Sequence, residues 1–188
     1  MNLTLPVPTA GWYELALVPD RRPGLLAEQV AGLTSAELRD WFAAALTTLA
    51  EHYAAVGCQL AAVAWDPASA GQPHAVLQVS VTPWRPAGAD PIGQLTTELA
   101  ADRPGDIGPR TVEAVPLPAG TAVRVRMLAD GGADPAGRQV VSDVVQYWLP
   151  LPDRGVAVVA ATSTAILTDG DQLAALLDTL MPLLAVTD

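Results

Sequence analysis

Residues 140–164 read VVSDVVQYWLPLPDRGVAVVAATST, two valine-rich runs on either side of PLPDRG, the first also carrying Tyr147 and Trp148. Such residues favour extended chain, whereas Pro, Asp and Gly in succession supply the dihedrals of a turn. The stretch therefore predicts an antiparallel hairpin with strands at 140–149 and 156–164, both buried on both faces. On its N-terminal side, residues 121–128 alternate Val123, Val125 and Met127 with Ala122, Arg124 and Arg126, the period of a strand with one polar face. Across LPAG this segment pairs with 111–117, and DGGADPAG at 130–137 reads as a loop. On the C-terminal side, a helix beginning near Asp169 or Asp171 puts Leu173, Leu176, Leu177, Leu180 and Leu184 on one stripe. Pro182 is expected to kink that helix.

Further toward the N-terminus, residues 12–18 read as a first strand, followed by the loop PDRRPG and a helix over 25–31. Thr34 and Glu37 have the spacing of a capping box, with Leu33 and Leu38 as its hydrophobic staple. The helix they open carries Leu38, Trp41, Phe42, Ala45, Leu49, Tyr53 and Val56 on one face, and Gly57 suits its C-terminal cap. Segments 58–65 and 75–82 predict a second hairpin around DPASAGQP. Asp90 and Pro91 fit the N-cap and first position of another helix, and 102–110 reads as a loop. The resulting order, β-α-β-β-α-β-β-β-β-α, predicts an α+β fold. In it, helices cover a central, mainly antiparallel sheet of about six or seven strands. No internal repeat interrupts it, so residues 1–188 form one expected domain, with 1–11 as a flexible N-terminal segment.

Composition narrows function by exclusion. The chain is 51% hydrophobic, yet its apolar runs are short: residues 156–161 fall far below the roughly 18 needed to span a bilayer. Residues 1–11 lack the basic and apolar regions of a signal peptide, so the expected location is cytoplasmic. Cys58 is the single cysteine, which rules out an internal disulfide or a cysteine zinc cluster. Every one of the 10 basic residues is arginine, which removes Schiff-base chemistry, pyridoxal phosphate attachment and a P-loop lysine. A net charge of −10 argues against nucleic acid and anionic membranes as partners. No cofactor and no metal is expected, and the chain does not read as an enzyme.

Individual residues agree with that exclusion. His52 projects onto the apolar arc of the long helix and reads as buried or at its boundary, while His74 opens a strand. Neither belongs to a metal-binding spacing. Asp66, Asp90, Asp106, Asp134 and Asp153 adjoin Pro or Gly, as turns and caps require, and Asp169 with Asp171 marks a helix start. Gly131, Gly132 and Gly137 lack the order of a phosphate cradle, and no serine sits in G-x-S-x-G. Trp41 and Trp65 read as core. Trp84, in TPWRPAG beside Arg85, marks a partner surface or packs inward. Arg124 and Arg126 share one strand face, either a groove for an acidic partner or a solvated edge that resists aggregation.

The Trp12 strand, Gly57 at the helix exit, LPAGTAVRV at 117–125 and QYWLPLPDRG at 146–155 together resemble actinobacterial proteins with a PsbP-like α/β/α sandwich. Proteins similar to that fold include photosystem accessory subunits, a Ran-binding nuclear transport factor and chaperones for type VI secretion effectors. The resemblance implies binding to another protein in an accessory or chaperone-like role, and it carries over no site residue. Two other readings stand beside it. One is a small-molecule binder or enzyme whose pocket gathers Arg124, Arg126, Asp143 or His52 between sheet and helices. The other is a homodimer formed through a sheet edge or apolar patch.

Overall fold

The computed structural model describes residues 1–69, 71–133 and 136–187. In chain order the elements are β1 (Asn2–Thr4), β2 (Trp12–Glu14), α1 (Arg22–Val30), α2 (Ala36–Ala55), β3 (Cys58–Ala64) and β4 (Ala75–Pro83). Then follow α3 (Pro91–Ala100), β5 (Thr111–Leu117), β6 (Gly120–Ala133), β7 (Gln139–Leu151), β8 (Val156–Thr164), α4 (Gly170–Leu180) and β9 (Ala185–Thr187). The fold is α+β, with a seven-stranded, mainly antiparallel sheet in the order β2-β3-β4-β8-β7-β6-β5 and a separate β1-β9 pair. The chain divides within β4 into two compact units, Val7–Ser80 and Val81–Asp188, the latter joined by Met1–Pro6. No described helix is long and apolar enough to cross a membrane.

In the unit Val7–Ser80, α2 starts one residue later than the capping-box reading places it. Ser35 is the N-cap, extended at φ −86° and ψ 131°, and its Oγ accepts a hydrogen bond from the Leu38 amide at 3.3 Å. Two hydroxyl residues stand side by side at this boundary, and serine is the stronger cap, so Glu37 lies at the second helical position. Phe42, Leu46 and Ala50 form the buried line of α2 and pack with Leu15, Ala61, Val63 and Trp65. The helix ends where Gly57, at φ +82°, takes the left-handed conformation that a side chain resists. The hairpin reading holds: β3 and β4 pair antiparallel, Ala61 opposite Gln78 and Val63 opposite Val76. Strand β2 covers only Trp12–Glu14 of the expected 12–18; the Leu15 amide still donates to the Ala61 carbonyl at 2.8 Å, and a short 3-10 helix begins at Pro19. α1 follows at once, tolerating Pro23 in its first turn, where the lost amide would be unpaired anyway.

In the unit Val81–Asp188, four strands run antiparallel in the order β8-β7-β6-β5. The β5-β6 hairpin closes as expected across Pro118 and Ala119, with Leu117 opposite Gly120. β6 then extends through Ala133, so the loop expected from 130 onward starts later; Asp134 and Pro135 lie outside the described residues. The segment before β5 also pairs, the Ile107 amide donating to the Leu128 carbonyl at 2.8 Å. Burial of β8 on both faces is as expected, but β7 alternates from 142 to 149, with Asp143, Val145, Tyr147 and Leu149 buried and Ser142, Val144, Gln146 and Trp148 half-buried. The half-buried row includes Trp148, which packs beside α3 rather than under a full layer.

Alternation along β6 places the two helices of this unit on opposite faces. Val123 and Val125 pack with Leu95 and Leu99 of α3, whereas Arg124 and Arg126 face α4. α3 opens as expected, with Asp90 Oδ1 accepting from the Gly93 amide at 2.8 Å and Pro91 following the cap. α4 stops at Leu180. Pro182 falls in a 3-10 turn, Met181–Leu183, so proline ends the helix instead of kinking it. The turn delivers buried Leu184 to β9, and β9 pairs with β1, Leu3 opposite Val186. Residues 2–4 are thus held in a strand, contrary to the flexible segment expected over 1–11.

Candidate interaction surface

The four sequence candidates divide between two faces of the sheet. Arg124 and Arg126 do not lie on an edge, because β6 pairs with β5 on one side and β7 on the other. Sequence shows the alternation but not the neighbours, and so the solvated-edge reading fails on topology. Arg124 grips Asp178 in a fork, Nε to Oδ1 at 2.8 Å and Nη2 to Oδ2 at 3.2 Å, and reaches Glu113 at 3.2 Å. Arg126 donates to Asp143 at 2.7 and 3.2 Å and to Asp171 at 2.7 Å. The Tyr147 hydroxyl completes the network by donating to Asp178 Oδ1 at 2.8 Å.

These contacts tie α4 to the sheet. Hydrogen bonds to Asp143 and then Asp171 hold the Arg126 guanidinium firmly in its charged form, against the smaller opposing effect of burial. Burial acts to lower the Arg124 value, but the bond and charge of Asp178, with Tyr147 and Glu113, outweigh it and the net direction is upward. Burial, and then the hydrogen bond and charge of Asp178, push the Tyr147 hydroxyl well above its usual range. The first residue of α4, Gly170, sits so close that an added Cβ would collide with Asp143 Oδ2 and lie 3.2 Å from Arg126 Nη2. An acidic partner would have to displace carboxylates already seated on both guanidinium groups.

Trp84 and Arg85 belong to the α3 side. The half-buried Trp84 ring packs against the Leu95, Leu99, Val123 and Val125 cluster, and its Nε1 donates to Glu98 Oε2 at 3.1 Å. Gln94 and then Trp84 hydrogen-bond to the Glu98 carboxylate and hold it below its usual range. Gln94 Oε1 also accepts from the Ala87 amide at 2.7 Å, which fastens the loop to α3. Arg85 is exposed and lies across Gly155, where a Cβ would stand 2.7 Å from its Nε. Trp84 and the β6 arginines therefore lie on opposite faces and do not form one surface.

The residue that helical periodicity places in the core and the structure places outside is Trp41. It is 41% exposed, whereas Trp65 is 6% and Phe42 0% exposed. Phe42, Leu46 and Ala50 centre the buried line of α2, and Trp41 stands one residue, roughly 100° of helical turn, to its side. Its ring is braced, stacked on Phe42 at 6.2 Å and set edge-on to Trp65 at 5.7 Å. Phe42 in turn meets Trp65 at 5.1 Å and Tyr13 at 4.8 Å, both edge-on. The Trp65 indole donates to the Gly71 carbonyl at 3.0 Å, which anchors the back of the cluster. His52, expected at the core boundary, is exposed on the same helix with its ring against Tyr53. Val56 is 60% exposed, because the helix has already ended beneath it.

Other reactive groups are quiet. Cys58 is buried, burial pushes its thiol up, and its Sγ lies 3.7 Å from Gln78 Oε1. No group of three or more potential metal ligands occurs among the described residues. The chain matches no known family model and no curated protein.

Proposed function

We propose that this protein works by binding another protein, in an accessory or chaperone-like role, and that the contact centres on Trp41. The observation that carries this reading is a large aromatic ring 41% exposed yet held in place by Phe42 and Trp65. Tryptophan is among the residue types enriched at the centre of interfaces, since it buries a large area and offers one N–H. A ring already fixed by its neighbours loses little side-chain entropy on contact. The resemblance to PsbP-like sandwich proteins at 117–125 and 146–155 points the same way. The charge of −10 supports a protein partner over nucleic acid, and a lone cysteine suits a cytoplasmic setting.

The rival reading, a small-molecule pocket gathering Arg124, Arg126 and Asp143, has less support. These side chains do converge, but on one another and on α4. Affinity capture from cell extract, run in parallel with the wild-type chain and Trp41→Leu, tests the proposal. At least one protein should be retained by the wild type, lost with the variant, and bound directly by the purified chain with affinity at least about tenfold weaker for the variant. Identical captured sets, or direct binding indifferent to Trp41, would overturn it.

A further inference from the structure

Three features outside the ion-pair network invite a ligand: the outer strand β5, the apolar residues Ile166 and Leu167 before α4, and the Trp41 shoulder. β5 carries Pro116, which presents no amide to an added strand, and nothing indicates what would cover Ile166 and Leu167. The Trp41 shoulder differs, because charge accompanies its aromatic face.

Glu37, Asp40 and Trp41 are spaced i, i+3 and i+4 along α2, so they share one side of the helix, with Glu37 the neighbour of both others. Both carboxylates are exposed, and neither forms an ion pair with a described residue. The arginines nearest in sequence are committed. Arg39 donates to the Leu33 carbonyl at 2.6 Å, and Arg22 to Glu51 at 2.9 Å and the Ala16 carbonyl at 3.3 Å. What remains is the negative face of an indole beside two unneutralised carboxylates. A cation placed there gains from the ring quadrupole and from both charges, whereas an anion is repelled by all three.

From this we infer that the partner presents a basic segment, and that an arginine or lysine of it stacks on the outer face of Trp41 on the side of Glu37, with Asp40 one step further round the helix to receive a second cation. The inference rests on the protein-binding reading and adds the chemistry of the partner. The contact is modest per residue and salt-sensitive, so a run of cations is required for useful affinity.

The test uses the full chain and a short peptide of alternating arginine and glycine, with a matched peptide in which neutral citrulline replaces arginine. The 5 tryptophan indole N–H signals are followed by NMR, with Trp41→Phe assigning the signal of interest. The arginine peptide should move the Trp41 signal and leave the buried Trp65 signal still; the citrulline peptide should move neither. Trp41→Leu should weaken peptide binding about fivefold, and Glu37→Gln with Asp40→Asn about threefold, the latter at exposed positions that leave folding intact. Equal binding of the two peptides, no shift at Trp41, or full binding by the carboxylate variant would overturn the inference. Running the captured partner against the same carboxylate variant separates the two claims. A partner that needs Trp41 but ignores Glu37 and Asp40 defeats the basic-segment inference alone, and one indifferent to Trp41 defeats the protein-binding reading as well.

Discussion

The shoulder of α2 around Trp41 and the network beneath α4 around Arg126 use similar materials to opposite ends. At Arg126, two guanidinium groups meet four carboxylates and a phenol, and the contacts are made within the chain. Around Trp41, an aromatic ring and two carboxylates are left facing outward. The first arrangement holds structure and the second offers contact. Residue type does not separate them, because arginine and tryptophan are both enriched among the residues that dominate interfaces. What separates them is whether the neighbours already satisfy the group.

That contrast breaks first at Asp143. The carboxylate is 7% exposed beside Arg126, and Asp143→Ala should cost about 3 kcal/mol of unfolding free energy, since a partly buried guanidinium is left with Asp171 alone. Chemical denaturation measures it, and a loss below about 1 kcal/mol would mean that the network is ornamental. Gly170→Ala comes next. Its new methyl group would enter the space of Asp143, and a loss of about 2 kcal/mol should follow, although alanine is otherwise the better helix former by about 1 kcal/mol. A neutral or stabilising result would show that Asp143 moves aside at no cost. The smallest change in stability belongs to the residue with the largest expected effect on binding. Trp41→Leu keeps an apolar side chain against Phe42 and Trp65 and should shift stability by less than about 1 kcal/mol. A larger loss would make Trp41 a core residue after all and would sharpen the contrast in the wrong direction for the binding proposal.

How far the fold was readable without coordinates varied with the range of the interactions involved. The hairpin across Pro118 and Ala119, the turn before Gly155 and the Asp90 cap of α3 were all anticipated, because each depends on dihedral preferences within a few residues. The start of α2 lies one residue later than the sequence spacing suggests, because Thr34 and Ser35 both suit the N-cap position and Ser35 takes it. The β1-β9 pairing was missed, since its strands come from opposite ends of the chain and neither carries a strong pattern. Of the candidate site, Arg124 and Arg126 were singled out from alternation, but their role was not, because the Arg124 partner Asp178 lies 54 residues away. Trp41 falls within the broad apolar arc of α2, and periodicity does not say where along that arc coverage stops.

Local sequence was sufficient for the four described helices and the seven strands of the main sheet, their approximate bounds, the exclusion of lysine chemistry and the net acidity of the chain. These follow from short-range backbone preferences and from counting charges. The neighbours of β6, the carboxylates that neutralise its arginines, and the side of α2 left open around Trp41 came from tertiary contact alone. Each depends on which distant segment arrives against a given face, and a one-dimensional pattern contains the face without naming what packs upon it.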